Sequence, residues 1–195
     1  MKHSSSFLNT IFTSQYFTAR EQDEIISQFK PVEFAKHDFL LKEEKLQQHS
    51  WFLEAGFARS YGIDTDGNDI TTHFYSAGDI VTDWTSFFLR TPTRETIQAL
   101  TQCQCWQIDF NSFQRLFHSI ENFREQGRTR LVSAYFDLKK HRVALIADQA
   151  RDRYIQLLKE KPQIIQNVSL KHIASYLGVT DTSLSRIRKE IAMEQ

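Results

Sequence analysis

Between Asn9 and Lys30 apolar residues recur at helical spacing, with Ile11, Phe12, Phe17, Ile25, Ile26 and Phe29 on a common side, which predicts one or two amphipathic helices ending before Pro31. From Val32 to Asp109 the pattern shifts to short alternating runs rich in aromatic and β-branched residues. The stretch "GFARSYGIDTDGNDITTHFYSAGDIV" holds two such runs around Asp66-Gly67, a hairpin signal. Further breaks fall at Ala77-Gly78-Asp79 and at Thr91-Pro92-Thr93, and short strands at this spacing predict an antiparallel sandwich or barrel. Helical character returns near Asn111. Leu131, Ala134, Leu138, His141 and Leu145 then alternate steps of three and four, a stripe fit either for a helix-on-helix dimer seam or for packing against the chain's own body. Gly127 is expected to bend or interrupt the start of this helix. Another helix is expected from Asp148 to Lys161, stopping before Pro162, with "KPQIIQN" as the lead into the last segment.

That last segment reads "VSLKHIASYLGVTDTSLSRIRKEI". Ser169 can cap a first helix carrying Ile173, Ala174 and Leu177 on one face. Gly178 supplies the left-handed turn, and Thr180 caps a second helix whose stripe is Leu184, Ile187 and Ile191. Two short helices, a glycine turn and a small Ala174 at the crossing make a helix-turn-helix. An ordinary helical hairpin would share these features. The outward face separates the two, because Asp181, Thr182 and Ser185 offer short donors and acceptors near the second helix's N-terminus, with Arg186 and Lys189 further along. A major-groove reader is arranged in this way, short polar groups on base edges and cations on phosphates. The candidate DNA-contacting residues are Ser169, Lys171, Thr180, Asp181, Thr182, Ser183, Ser185, Arg186 and Lys189.

The totals sharpen this picture in only a few places. Net charge is zero over 195 residues, yet from Lys139 onward eleven Lys and Arg face six Asp and Glu, leaving 13 against 18 in the preceding stretch. A basic tail on an acidic body points to a polyanion met by the tail alone. No apolar run approaches the ~18 residues needed to cross a bilayer, and the first ten residues lack the apolar centre of a signal peptide. A cytoplasmic protein without membrane partner is expected. Cys103 and Cys105 read as a reduced pair on a strand; no metal site and no cofactor are expected. "DTDGND" is acidic enough to suggest calcium, but Gly67 is fourth from Asp64 and Tyr75 stands at position twelve, so it reads as a hairpin tip. No nucleophile-base pattern, phosphate loop or paired-histidine spacing suggests an enzyme.

The segment "IASYLGVTDTSLSRIRKEI" resembles the helix-turn-helix of the cyclic-AMP receptor and fumarate-nitrate regulator (Crp/Fnr) family of bacterial transcription factors, Ala-x-x-x-Gly-x-Thr-x-Glu-Thr-Val-Ser-Arg. Ala174, Gly178, Thr180, Ser183, Ser185 and Arg186 carry the match. The likeness extends over nearly the whole chain, through "GDIV" and the rhythm of the strands. It implies an α+β protein: an N-terminal cyclic-nucleotide-binding-type β jelly roll with leading helices over 1–117, a long dimerisation helix over 118–146, and a C-terminal helix-turn-helix domain over 147–195. It also implies a homodimer through the long helix, duplex DNA as partner and RNA polymerase as a further partner, with a small-molecule effector input that is either unidentified or lost. Thr182 stands where many members carry a base-reading Glu, so the preferred site cannot be copied from them. The sequence stops soon after Lys189, and the phosphate contacts of a longer relative's wing are expected to be absent or replaced by Lys171, Arg188 or Lys189.

In the family's nucleotide binders a Glu takes the ribose hydroxyl, while an Arg and backbone amides hold the cyclic phosphate. The matching places here hold Thr82, Asp83, Thr93 and Arg94, the candidate effector pocket, followed by Glu95. The acid is shorter, the arginine is displaced by one residue, and Glu95 brings a negative charge towards the phosphate, so ordinary cyclic-AMP binding is disfavoured. Arg94 and Glu95 also read as a solvated strand pair. Two alternatives remain for the cavity itself, another small effector or filling by Trp84, Phe87 and Phe88. The cysteine cluster of oxygen-sensing relatives is absent, and His73 reads as packed or exposed rather than as a haem ligand. A rival function is a ligand-sensing module that acts on a protein partner.

Overall fold

The computed structural model describes residues 6–194. Two helices open it, α1 (Ser6–Ile11) and α2 (Ala19–Ser27). α2 starts at a capping box in which Thr18 accepts from the Glu21 amide and Glu21 accepts from the Thr18 amide, so two otherwise orphaned donors are satisfied at one end. Eight strands follow among the described residues: β1 (Lys30–Phe34), β2 (Phe39–Leu41), β3 (His49–Ala55), β4 (Ala58–Ile63), β5 (Asp69–Tyr75), β6 (Ile80–Val81), β7 (Thr96–Ala99) and β8 (Cys103–Asp109), with α3 (Trp84–Leu89) between β6 and β7. Lys30, expected at a helix end, opens β1.

The strands form two antiparallel four-stranded sheets in the orders β1-β8-β3-β6 and β2-β7-β4-β5. Their inner faces meet through Leu41, Trp51, Leu53, Tyr75, Val81, Ile97 and both cysteines, a jelly-roll core that removes one face of each sheet from water. Cys103 and Cys105 are free thiols buried in this layer. Burial pushes the Cys105 thiol up to about 12, which keeps it neutral and unreactive. β3 turns into β4 at Gly56, whose φ of 101° and backbone crowding leave no room for a side chain: an added Cβ would sit 2.3 Å from the Gln102 carbonyl. β4 and β5 form the expected hairpin. Its tip closes because the Asp64 carboxylate accepts from the amides of Asp66 and Asn68, so "DTDGND" spends its acid on the turn.

Six helices complete the described chain: α4 (Phe110–Ser119), α5 (Glu121–Ala147), α6 (Ala150–Glu160), α7 (Pro162–Asn167), α8 (Leu170–Tyr176) and α9 (Asp181–Met193). α1, α2, α4 and the first turn of α5 share an aromatic core with the outer face of β3 and β8, where Phe12 contacts Phe17, Phe29, Phe52 and Phe123. α5 then runs 27 residues without interruption and passes straight through Gly127, contrary to the expected bend. "KPQIIQN" is itself helical, Pro162 occupying the first turn, where its missing N–H costs nothing. No helix among the described residues is long and apolar enough to cross a membrane.

Candidate nucleic-acid interface and sensor cleft

Ser169 caps α8 by accepting from the His172 amide, and Thr180 caps α9 by accepting from the Ser183 amide. Gly178 sits between them at φ 67°, its open face against Leu145 of α5. Val179 donates to the Ala174 carbonyl and fixes the crossing, where Ala174 is wholly buried. Leu184 and Ile187 bury α9 against Ile173, Leu177, Tyr154, Leu157 and Ile164. The opposite side of α9 is exposed: Asp181, Thr182, Ser185, Arg186 and Lys189 all face solvent, as does Arg188. Arg186 approaches Glu190 at 3.7 Å, a loose pair on one helix face. Ser183 is half-buried and, with Ser169 and Thr180, commits its hydroxyl or amide to capping, so these three shape the helix ends. Lys171 projects from α8 with its ammonium 3.8 Å from Asp69.

The helix-turn-helix is docked on the jelly roll by residues that the pattern of the sequence did not single out. Ser175 of α8 accepts from the Thr71 amide at 2.8 Å and donates to the Asp69 carbonyl at 3.1 Å, so one hydroxyl occupies the open edge of β5. Tyr176 lies between the His141 ring of α5, stacked at 4.2 Å, and Phe74 of β5 at 5.0 Å. The Lys161 ammonium donates to the Phe74 carbonyl. From α6, Arg153 reaches the Leu177 carbonyl with two N–H groups at 3.1 and 2.8 Å and braces the turn before Gly178. Beneath this junction Arg59, buried within β4, is ion-paired to Asp69 and stacks on Tyr61. Burial pushes His73 down to about 3, helped by the charges of Lys161 and His141; His172 is pushed to about 4, by burial first. Both are neutral imidazoles at neutral pH, and His73 is packed edge-on to Tyr75.

A cleft of about 960 Å³ opens between the jelly roll and α5. Its walls include the β5–β6 turn, Thr82 to Thr85, the loop carrying Arg94 and Glu95, and α5 from Thr129 to Leu138. Of the four expected effector residues, Thr82, Asp83 and Arg94 line it and Thr93 does not. Thr93 is buried and its hydroxyl is tied to the Glu95 backbone. Asp83 caps α3, accepting from the amides of Thr85 and Ser86, and so blocks the helix N-terminus that could have received an anion. Thr82 donates its hydroxyl to the Val81 carbonyl and accepts from the Ser50 hydroxyl, Arg94 is exposed, and Arg90 turns away onto Phe110 and the Gln47 carbonyl. The aromatics do not fill the space. Trp84 forms part of its wall with Phe88 stacked behind it, and Phe87 is buried against Phe110 and Phe113. Arg94 and Glu95 are not a solvated pair either, since Glu95 is half-buried and burial, with Asp83 adding to it, raises its carboxyl.

Leu131, Ala134 and Leu138 also line this cleft, His141 stacks on Tyr176 and Leu145 abuts Gly178. Within the chain, His141 and Ala134 of that stripe are half-buried, while Leu131, Leu138 and Leu145 remain 39, 62 and 40% exposed, so the stripe packs on the chain's own body only in part. A second stripe one residue onward, Val132, Phe136, Val143 and Ile146 at steps of four, seven and three, is exposed by 42, 60, 53 and 81%.

Residues 31–119 match the family model of the cyclic nucleotide-binding domain. No curated protein matches the chain by sequence. Among solved structures, FixK2 from Bradyrhizobium japonicum superposes with a TM-score of 0.74 at 16% identity, covering 85% of each chain. CLP from Xanthomonas campestris, a c-di-GMP-responsive global regulator, gives 0.72 at 14% identity over 91% of this chain and 93% of its own. A CooA mutant from Carboxydothermus hydrogenoformans gives 0.71 at 16% identity over 100% and 86%. The chain therefore has the fold of Crp/Fnr regulators, a cyclic-nucleotide-binding jelly roll followed by C-terminal helices.

Proposed function

We propose, starting from that shared fold, that the protein is a sequence-specific DNA-binding transcription regulator, with the jelly roll as sensor (1–117), α5 and its approaches as dimer helix (118–146) and the remaining helices as reader (147–195). The observation that carries this is the division of α9: Leu184 and Ile187 are buried, while Asp181, Thr182, Ser185, Arg186 and Lys189 stand in solvent with Arg188 beside them. This geometry supports Thr182 and Ser185 as base-edge contacts and Lys171, Arg186 and Lys189 as phosphate contacts, with Asp181 at the helix entry and Ser169, Thr180 and Ser183 presenting it. The exposed stripe of Val132, Phe136, Val143 and Ile146 pairs with its copy in a homodimer, which sets two readers on a near-palindromic site. RNA polymerase is the onward partner, and the compartment is the cytoplasm. The cleft lies between the sensor and the dimer helix, so a ligand there would shift the readers' spacing as a change in population.

Binding of a randomised duplex library, selected and then titrated by gel shift, tests this directly. Six phosphate contacts from two readers give a slope of log K against log salt of about −5, and Arg186→Ala flattens it by about 2 across the dimer. A salt-independent or absent duplex interaction refutes the reading and favours a protein-partner role for the helix-turn-helix.

A further inference from the structure

If the jelly roll is a sensor, as proposed above, the unpaired charges that face its cleft narrow the class of its ligand. Glu95 forms no ion pair with a Lys or Arg among the described residues, exposed Arg94 beside it included, and the negative charge of Asp83 adds to the burial that raises its carboxyl. The Thr72 hydroxyl is directed at the Glu95 carboxylate, yet lies outside full hydrogen-bonding geometry and is buried without another partner. Asp79 is spent on the Ser76 amide and hydroxyl. On the α5 wall Arg130 is half-buried and forms no ion pair; its guanidinium lies over the Phe52 ring, 5.8 Å from the centroid. Asp137 and Arg94 on these walls are exposed and Lys161 donates to the Phe74 carbonyl, which leaves Glu95 and Arg130 as the half-buried acid and base that face the cleft with neither an ion pair nor a backbone partner. Such groups are stabilised when a ligand brings the missing partner. Trp84 and Tyr135 add flat apolar surface to the same walls.

We propose that the cleft takes a small zwitterion with an aromatic body, a positively charged nitrogen at Glu95 and an acidic group at Arg130. A cyclic nucleotide presenting its phosphate to the α3 end would meet Asp83 and Glu95 there, and is excluded from that pose. The test uses full-length protein without DNA, titrated calorimetrically and by thermal shift with L-tryptophan, with tryptamine (no acid group), with indole-3-propionate (no nitrogen) and with cyclic AMP. Tryptophan is expected to bind at least tenfold more tightly than either truncated probe. Glu95→Gln should abolish that preference over indole-3-propionate, Arg130→Met that over tryptamine, and Arg130→Lys should retain part of it. Unliganded melting curves verify that each variant is folded. Cyclic AMP or indole-3-propionate binding as tightly as tryptophan overturns the proposal; so does a tryptophan response that survives both substitutions, or no response to any probe. Gel shifts on the same preparations report DNA binding separately, so failure here leaves the regulator reading standing.

Discussion

Ser175→Ala removes one oxygen from the junction between reader and sensor, and its cost can be worked out. Thr71 is 3% exposed, and its amide has the Ser175 hydroxyl as acceptor at 2.8 Å. β5 is the last strand of its sheet, so no neighbouring strand can take that amide over. A buried donor left unpaired costs about 1–3 kcal/mol, and the Asp69 carbonyl loses its donor in the same step. We expect about 2 kcal/mol of lost stability, which at a urea dependence of about 2 kcal/mol per molar moves the unfolding midpoint down by about 1 M. Ser185→Ala is the control: its hydroxyl is exposed on α9, and the change should stay within about 0.5 kcal/mol. Urea titrations followed by circular dichroism read both. A Ser175→Ala midpoint indistinguishable from that of Ser185→Ala would mean that the reader does not rest on β5 in solution, and would refute the docking argument.

Three further outcomes follow from neighbouring features. Arg153→Met strips both bonds from the Leu177 carbonyl and should cost about 2 kcal/mol, since hydrogen bonds from a charged donor run at about 1.5–3; equal urea midpoints for variant and parent would count against the brace. Phe136→Asp places a charge on the exposed α5 stripe and should yield a monomer in sedimentation equilibrium with at least tenfold weaker DNA binding; an unchanged mass would move the dimer interface elsewhere. Acid should destabilise the fold through His73, held at about 3 by burial and by the charges of Lys161 and His141, against about 6.5 when unfolded. Between those values the unfolded chain takes up a proton that the folded chain refuses, so this contribution is whole above about pH 6.5 and is lost progressively towards pH 3. His73→Gln should flatten the fall in urea midpoint between pH 7 and 4.5, although His172 keeps part of it.

The helix-turn-helix was legible because its determinants are local: two caps, one left-handed glycine and apolar residues three and four apart lie within 24 positions. The β4–β5 hairpin was legible for the same reason. α5 resisted because it is apolar on more than one side, and two overlapping three-four stripes offer the same pattern. Only the placement of His141 against Tyr176 and of Leu145 against Gly178 shows where the first stripe meets the rest of the chain. The docking residues were invisible because Ser175 and its partners on β5 are 104 and 106 positions apart in the chain. Asp83 carried a signal that went unused: a carboxylate two and three residues before Thr85 and Ser86 is an N-cap, which already assigns its oxygens to the backbone. α7 is hard to see in the sequence because Pro162 signals a helix stop as readily as a helix start, proline being tolerated in a helix's first turn.

The serine on β5 has a corollary for any transition that lifts the reader away. Freed of that hydroxyl, the outermost strand would present bare amides and carbonyls to whatever extended chain came near, the starting point of intermolecular strand pairing. A detached state is therefore sticky as well as less stable, and a cell holding much of it would be expected to lose protein to aggregates before losing it to slow regulation.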